Sequence, residues 1–318
     1  VFGYDPSWHA TNALFLFAGF FALKTLNRHG SALQMLRTRA RRNLIPVAIF
    51  ALIVVSVIFP LLGKPAATLG ETLRRLGDYA FGLMTCTDPG ALLPGLLDDA
   101  KYMCSIQGAI WTLRWGAFAY LATALLWQIG IYRKIIWIYA LAGAALFTYI
   151  IVFQNYVAEW IVIKEQFNVI LVPLRLGAMF LIGTAAYSWA SQKNTITLNS
   201  VILGASACFA VAALNYIFLP WTPIIEVSSA FGFALIAAVI VKFIDQSRFH
   251  NVAIRDVSIW IFLIHWPAAQ LLLLAFPHSG SWALIAMTMP VTLILAYLMN
   301  KFVEAASFLQ GTGRTVQA

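Results

Sequence analysis

Nine apolar stretches, most of them about 18–23 residues long, constrain this chain more than any other feature of its sequence. A helix rises about 1.5 Å per residue, so roughly twenty apolar residues cross the ~30 Å hydrocarbon core of a bilayer. The stretches fall near Asn12–Leu26 (the shortest), Asn43–Gly63, Ala109–Tyr132, Ile135–Phe153, Val169–Ala190, Ser200–Leu219, Ile225–Phe243, Val257–Phe276 and Trp282–Met299. Backbone polar groups have no water to bond in lipid, so such runs are helical. The expected fold is all-α, a polytopic membrane bundle of nine helices. Apolar residues make up 61% of the 318 and charged ones 10%, which excludes a soluble domain. Linkers are short, with turn residues such as Pro220, Pro223, Pro277 and Gly280, and there is no repeat period. A single domain over 1–318 follows.

The net charge of +9 needs no nucleic acid to explain it once the loops are sorted by sign. With residues 27–42 on the cytoplasmic side, fourteen Lys and Arg lie inside and five outside. Arg114 and Arg175, within helices, complete the twenty-one. Val1 is then expected outside and the C-terminus in the cytoplasm. The longest outer segment, 64–108, carries Leu69, Leu73, Leu76, Tyr79 and Ala80 at helical spacing against Glu71, Arg74, Arg75 and Asp78. That pattern predicts an amphipathic helix on the membrane surface. Cys86 and Cys104 follow in the same oxidising loop. They are expected to pair in a disulfide worth about 3 kcal/mol, the alternative being two reduced thiols near the interface. Cys208 lies in a helix and reads as a packed thiol.

Several polar residues bear on chemistry. Arg37, Arg39, Arg41 and Arg42 cluster just before the second apolar run. In a helix Arg39 and Arg42 share a face, and clustered guanidinium groups bind phosphates bidentately. A phosphorylated cytoplasmic ligand such as an acyl-coenzyme A, or simple anchoring on anionic lipid, would both use them. Arg114 is one turn into an apolar helix, where a charge costs on the order of 2.5–3.5 kcal/mol at the centre. It either meets a cavity or snorkels to the interface beside Trp111 and Trp115. Arg175 follows Pro173 and faces either an anionic ligand or a carboxylate such as Glu159, Glu165 or Glu226. His265, at membrane depth before Pro267, is a candidate proton carrier or a structural imidazole bonded to backbone that the proline frees. His9, His29, His250 and His278 fall in loops or at helix ends. No metal-ligand spacing, Gly-rich phosphate loop or nucleophile elbow is present.

Taken together, these pieces resemble the acyltransferase-3 family of integral membrane acyltransferases. Leu14-Phe15-Leu16-Phe17-Ala18-Gly19-Phe20-Phe21 looks like the family's Phe-Phe-x-x-Ser-Gly-Phe helix, and the basic run before Pro46 like its arginine-rich cytoplasmic loop. Trp111-Thr112-Leu113, with Tyr120 nine residues after the tryptophan, is similar to its Trp-Thr/Ser-Leu-x-x-Glu-x-x-x-Tyr pattern. Phe262-Leu263-Ile264-His265-Trp266-Pro267 resembles its Tyr-Leu-x-His-x-Pro motif, and Val303-Glu304 its acidic ending. The resemblance implies a ten-helix fold in a bacterial inner membrane. It implies transfer of an acyl group, usually from acetyl-coenzyme A as co-substrate, to an extracytoplasmic glycan or lipid-linked sugar, with no bound cofactor. Arg37, Arg39, Arg41 and Arg42 would bind the donor, and Trp111, Thr112, Arg114, Tyr120 and Arg175 would line the cavity. The family's key histidine lies on a first helix that would precede Val1, which leaves His265 as the catalytic candidate within this sequence. Gly116 stands where the family has glutamate, and Arg42 is four residues before Pro46 where three are expected. These departures also fit a catalytically silent subunit of a larger membrane assembly.

Overall fold

A computed structural model describes residues 6–62, 68–85, 110–158, 171–192, 197–218, 224–233, 235 and 254–309. Every regular element among the described residues is helical: α1 (Pro6–His29), α2 (Ala32–Ile53), α3 (Leu69–Thr85), α4 (Trp111–Gln128), α5 (Ile135–Ala158), α6 (Val172–Gln192), α7 (Leu198–Phe218), α8 (Ile224–Phe233), α9 (Ile254–Ala275) and α10 (Ser281–Leu309). Beyond Ile53, α2 continues through a π turn, Val54–Ile58, into a last turn at Phe59–Leu62.

Local chemistry sets several of these boundaries. Gly30, at φ +66°, ends α1 by donating its N–H to the Leu26 carbonyl, a left-handed stop that favours glycine. Ser31 then caps α2, its Oγ accepting the Gln34 N–H at 3.3 Å. The arginine segment is therefore the start of the second helix, not a loop. Thr68 caps α3 through the Glu71 N–H, and Thr197 caps α7 through the Ser200 N–H. Gly130, at φ +81°, breaks the expected run Ala109–Tyr132, so α4 stops at Gln128 and a short 3-10 turn, Ile131–Arg133, precedes α5.

Five described helical stretches are long and apolar enough to cross a bilayer: Ala32–Leu61, Ile135–Phe153, Leu198–Phe218, Val257–Ala275 and Trp282–Val303. The chain is thus an all-α membrane protein. The expected runs near Asn12–Leu26, Ala109–Tyr132 and Val169–Ala190 form α1, α4 and α6, helices of 24, 18 and 21 residues. Their lower apolarity comes from polar groups, many of them turned inward: His9 and Asn12 on α1, Thr112 and Thr123 on α4, and Arg175, Thr184 and Ser188 on α6 are all buried. Helices wrapped by protein rather than lipid need no uniformly apolar surface. The surface helix α3 is present, but its apolar face is broader than the spacing suggests. Tyr79 is buried whereas Leu73 and Phe81 are exposed. Ion pairs Arg75–Glu71 and Arg74–Asp78 run along it.

The chain divides into two compact units. One comprises residues up to Arg37 with Trp115–Asn251, the other Thr38–Arg114 with the residues from Val252 on. In the first, α1 and α6 cross closely because glycines meet backbone. A Cβ built on Gly19 would lie 1.9 Å from the Phe180 carbonyl oxygen, and one on Gly183 equally close to that of Leu16. In membranes small residues of this kind let helices approach without an aqueous hydrophobic drive. In the second unit Phe50, Val54 and Phe59 of α2 pack with Tyr79, Ile110, Trp260, Leu263 and Ala296.

Candidate functional site

The most concentrated polar chemistry lies inside the first unit, around Glu226. Its carboxylate is fully buried in the first turn of α8. Three other helices converge on it. The Asn12 amide of α1 donates to Oε1 at 2.5 Å, the Tyr149 hydroxyl of α5 donates to Oε2, and Arg175 Nη1 of α6 lies 3.5 Å from Oε1. Asn12, Tyr149 and Arg175 are each no more than 2% exposed.

The packing explains the convergence. Asn12 and Arg175 each lie about two turns before the α1–α6 crossing, which brings them to one level. At 0–2% exposure a carboxylate needs partners in place of water, and a guanidinium and two hydrogen-bond donors supply them. The result is a buried, charge-balanced node that joins four helices. Of the two partners open to Arg175 from sequence, an anion or a carboxylate, the structure supplies the carboxylate Glu226. Glu159 and Glu165 lie outside the described residues.

Other sequence candidates are dispersed. Arg37, Arg41 and Arg42 are exposed and Arg39 half-buried on the first turns of α2. The stretch Ala32–Leu61 spans 30 residues, about 45 Å of helix against a ~30 Å core. Its arginine-bearing turns therefore extend past the apolar part. Thr112 is buried, while the Trp111 side chain lies outside the described residues. Arg114 is exposed on the first turn of α4. The Tyr120 ring packs edge-on against Phe180 at 5.8 Å inside the first unit. A Cβ added at Gly116 would meet nothing within 4 Å, so space does not require a glycine there. Cys86 and Cys104 lie outside the described residues, and Cys208 is a free, half-buried thiol.

His265 sits half-buried on α9, with Nδ1 3.1 Å from the Ile261 carbonyl. Because a carbonyl only accepts, Nδ1 is the donor in this contact, and in the Nδ1–H tautomer Nε2 keeps a lone pair. The carbonyl it meets is not the one Pro267 frees, which belongs to Leu263 four residues before the proline. The structural role read from sequence therefore needs this correction: the imidazole bonds its own helix one turn back. His9, placed from sequence in a loop or at a helix end, is buried in the first turns of α1 with its ring 6.2 Å from Phe233. No metal-binding group of His, Cys, Asp and Glu occurs among the described residues.

Asn12 and Tyr149 were not legible as site residues. A single acid inside Ile224-Ile225-Glu226-Val227 was the available signal for Glu226, since an intramembrane carboxylate is kept only with a partner. Asn12 gave a weaker version of that signal, and a tyrosine in a helix gives none.

A family model described as an acyltransferase domain, of the acyltransferase-3 type, matches residues 10–301. No curated protein and no solved structure matches the chain.

Proposed function

We propose, because this chain belongs to the acyltransferase-3 family of membrane acyltransferases, that it moves an acyl group from a cytoplasmic acyl-coenzyme A to an extracytoplasmic saccharide or lipid-linked sugar. The acyl group in this reading is acetyl. The observation that carries the reading beyond the family is the start of α2. Four arginines stand on a capped helix that projects past the apolar span, three of them exposed. That arrangement suits the phosphates of a coenzyme A bidentately. On the charge bias of the loops, these turns face the cytoplasm and the Glu226 node lies toward the exterior.

In the transfer, an acceptor hydroxyl oxygen attacks the thioester carbonyl. The new ester bond forms, the carbon–sulfur bond breaks, and the hydroxyl proton leaves through a base to the departing thiolate. His265 supports the base role because its Nδ1 proton is held by Ile261, leaving Nε2 to accept. Gly116 leaves the family's glutamate function to other groups.

The test is acetyl-coenzyme A turnover by the purified protein in lipid. Arg39→Ala with Arg42→Ala is expected to weaken donor binding roughly tenfold or more, as loss of two charge-assisted contacts predicts. Unchanged donor affinity removes the arginines from the donor site. His265→Gln is expected to lower turnover by about 10²–10⁴ without changing donor affinity. A full-rate variant refutes the base role.

A second reading is favoured by Gly116, which stands where the family has glutamate although a Cβ there would meet nothing within 4 Å. In it the chain is a silent structural subunit. Absence of acetyl-coenzyme A turnover, with co-purification of other membrane proteins at fixed stoichiometry, would select it.

A further inference from the structure

The turn between α9 and α10 is short and closed, the Phe276 N–H donating to the Leu272 carbonyl at 2.8 Å and that of Ser279 to the Phe276 carbonyl at 3.1 Å. The two helices pack as an antiparallel hairpin, so residues equally far from the turn share a level. Trp260 and Ala296 support this register. Each is fifteen residues from the turn end of its helix, and both lie in one buried cluster. His265 is ten residues from Ala275 and Thr292 eleven from Ser281, about 15–17 Å along each helix. Both also lie near the middle of their apolar spans, Val257–Ala275 and Trp282–Val303.

Thr292 is unusual at that depth. It is 3% exposed, and its Oγ1 is buried with no hydrogen-bond partner among the described residues. A hydroxyl inside a helix commonly donates to a carbonyl one turn back, as Thr25, Thr123, Thr148 and Ser229 do here. A buried donor left unused costs stability and calls for a functional account. Ala296, one turn on along the same face of α10, is fully buried in the cluster that holds Leu263 and Ile264. Thr292 therefore stands on the buried face of α10, at the level where α9 carries His265.

The backbone is opened at nearly the same level. Pro267 lies eight residues before Ala275 and Pro290 nine after Ser281, so each helix loses a ladder bond there. Membrane proteins tolerate such breaks where they are buried in protein or line a site.

We infer that the Thr292 hydroxyl is the hydrogen-bond donor that stabilises the oxyanion of the proposed transfer, across the hairpin from the His265 base. The inference rests on the acyl-transfer reading above. As the acceptor oxygen bonds to the thioester carbon, the carbonyl π pair moves onto its oxygen, which accepts the hydrogen bond from Thr292. On collapse that pair re-forms the carbonyl, the carbon–sulfur bond breaks, and the thiolate takes the acceptor's proton from the base. A donor fixed in a water-poor interior and not spent on its own helix acts on this charge without reorganising.

The experiment is acetyl-coenzyme A turnover by the purified protein in lipid, with thermal unfolding of each variant in parallel. Thr292→Val, which keeps the shape and removes the hydroxyl, is expected to lower kcat by about 10²–10³ with the KM for acetyl-coenzyme A unchanged. Since no hydrogen bond is lost, its unfolding temperature is expected to stay at or above that of the wild type. Thr292→Ser is expected to recover kcat to within roughly tenfold of the wild type, and Thr292→Ala serves as a second hydroxyl-free variant. Thr288, one turn nearer the connection and also without a partner among the described residues, is the control, and Thr288→Val is expected near full rate. Full-rate turnover by Thr292→Val or Thr292→Ala would overturn the inference. So would a Thr292→Ser as slow as Thr292→Val, an equal loss in Thr288→Val, or a loss of rate matched by a lowered unfolding temperature. Any of these with an active wild type removes the oxyanion donor and leaves the transfer reading. A wild type without turnover removes the transfer reading, and the Thr292 assignment with it.

Discussion

Glu226 and Arg175 pose the sharpest question at the scale of single residues. A buried ion pair is weak evidence of net stability, because desolvation offsets most of the attraction. Removing one partner is another matter, since it strands a charge with no water to receive it. Arg175→Met and Glu226→Leu are each expected to cost about 3–5 kcal/mol in thermal unfolding in detergent, while the double variant recovers much of that loss. A double variant as unstable as the sum of the singles would show that the two side chains do not act as a pair. The hydroxyl of Tyr149 and the amide of Asn12 complete the carboxylate's bonding, so the node is specific in geometry as well as in charge.

Elements are positioned by backbone contact as much as by side chains. The crossing of α1 and α6 depends on Gly19 and Gly183, where an added methyl would collide with carbonyl oxygen that cannot rotate away. Gly19→Ala is expected to destabilise by about 1–3 kcal/mol, whereas Gly116→Ala, in open space on α4, is expected to be neutral or to gain up to about 1 kcal/mol. Parallel unfolding curves of the two variants check this, and equal effects would refute the close crossing. Gly19 is also the glycine of the Ala18-Gly19-Phe20 motif, so a packing need accounts for that motif residue. The caps at Ser31, Thr68 and Thr197 were readable from sequence as helix starts. Thr68-Leu69-Gly70-Glu71 even has the spacing of a capping box. The Gly30-Ser31 stop and start was equally readable, and it moves the arginines from a connecting loop into α2.

Across the whole molecule, the two units have different means of cohesion. The first is joined around a buried charge node. The second is joined by an apolar cluster into which α3 inserts Tyr79. Burial raises the Tyr79 hydroxyl pKa above its usual value near 10, because the phenolate would lose its water. The sign follows from proton binding: above pH ~10 the unfolded chain releases this proton and the folded one retains it, so stability falls as pH rises. The expected slope from this group is up to about 1.4 kcal/mol per pH unit. Unfolding free energy measured between pH 9 and 11 should fall more steeply in the wild type than in Tyr79→Phe. Identical slopes would mean that the phenol reaches water.

The sequence alone determined the helical membrane class, the family and the clustering of arginines before the second apolar run. Each of these depends on the length and apolarity of a continuous run, or on motifs in fixed order, and both are properties of neighbours along the chain. It also required a partner for Arg175, an anionic ligand or a carboxylate such as Glu159, Glu165 or Glu226, because a charge in lipid must be met by something. Tertiary structure alone decided that Glu226 is the one, and that Asn12 and Tyr149 join it. Those residues are 77 to 214 positions from Glu226 in the chain. Nothing local distinguishes a tyrosine that meets a carboxylate from one that meets lipid; which it meets is set by how four helices cross.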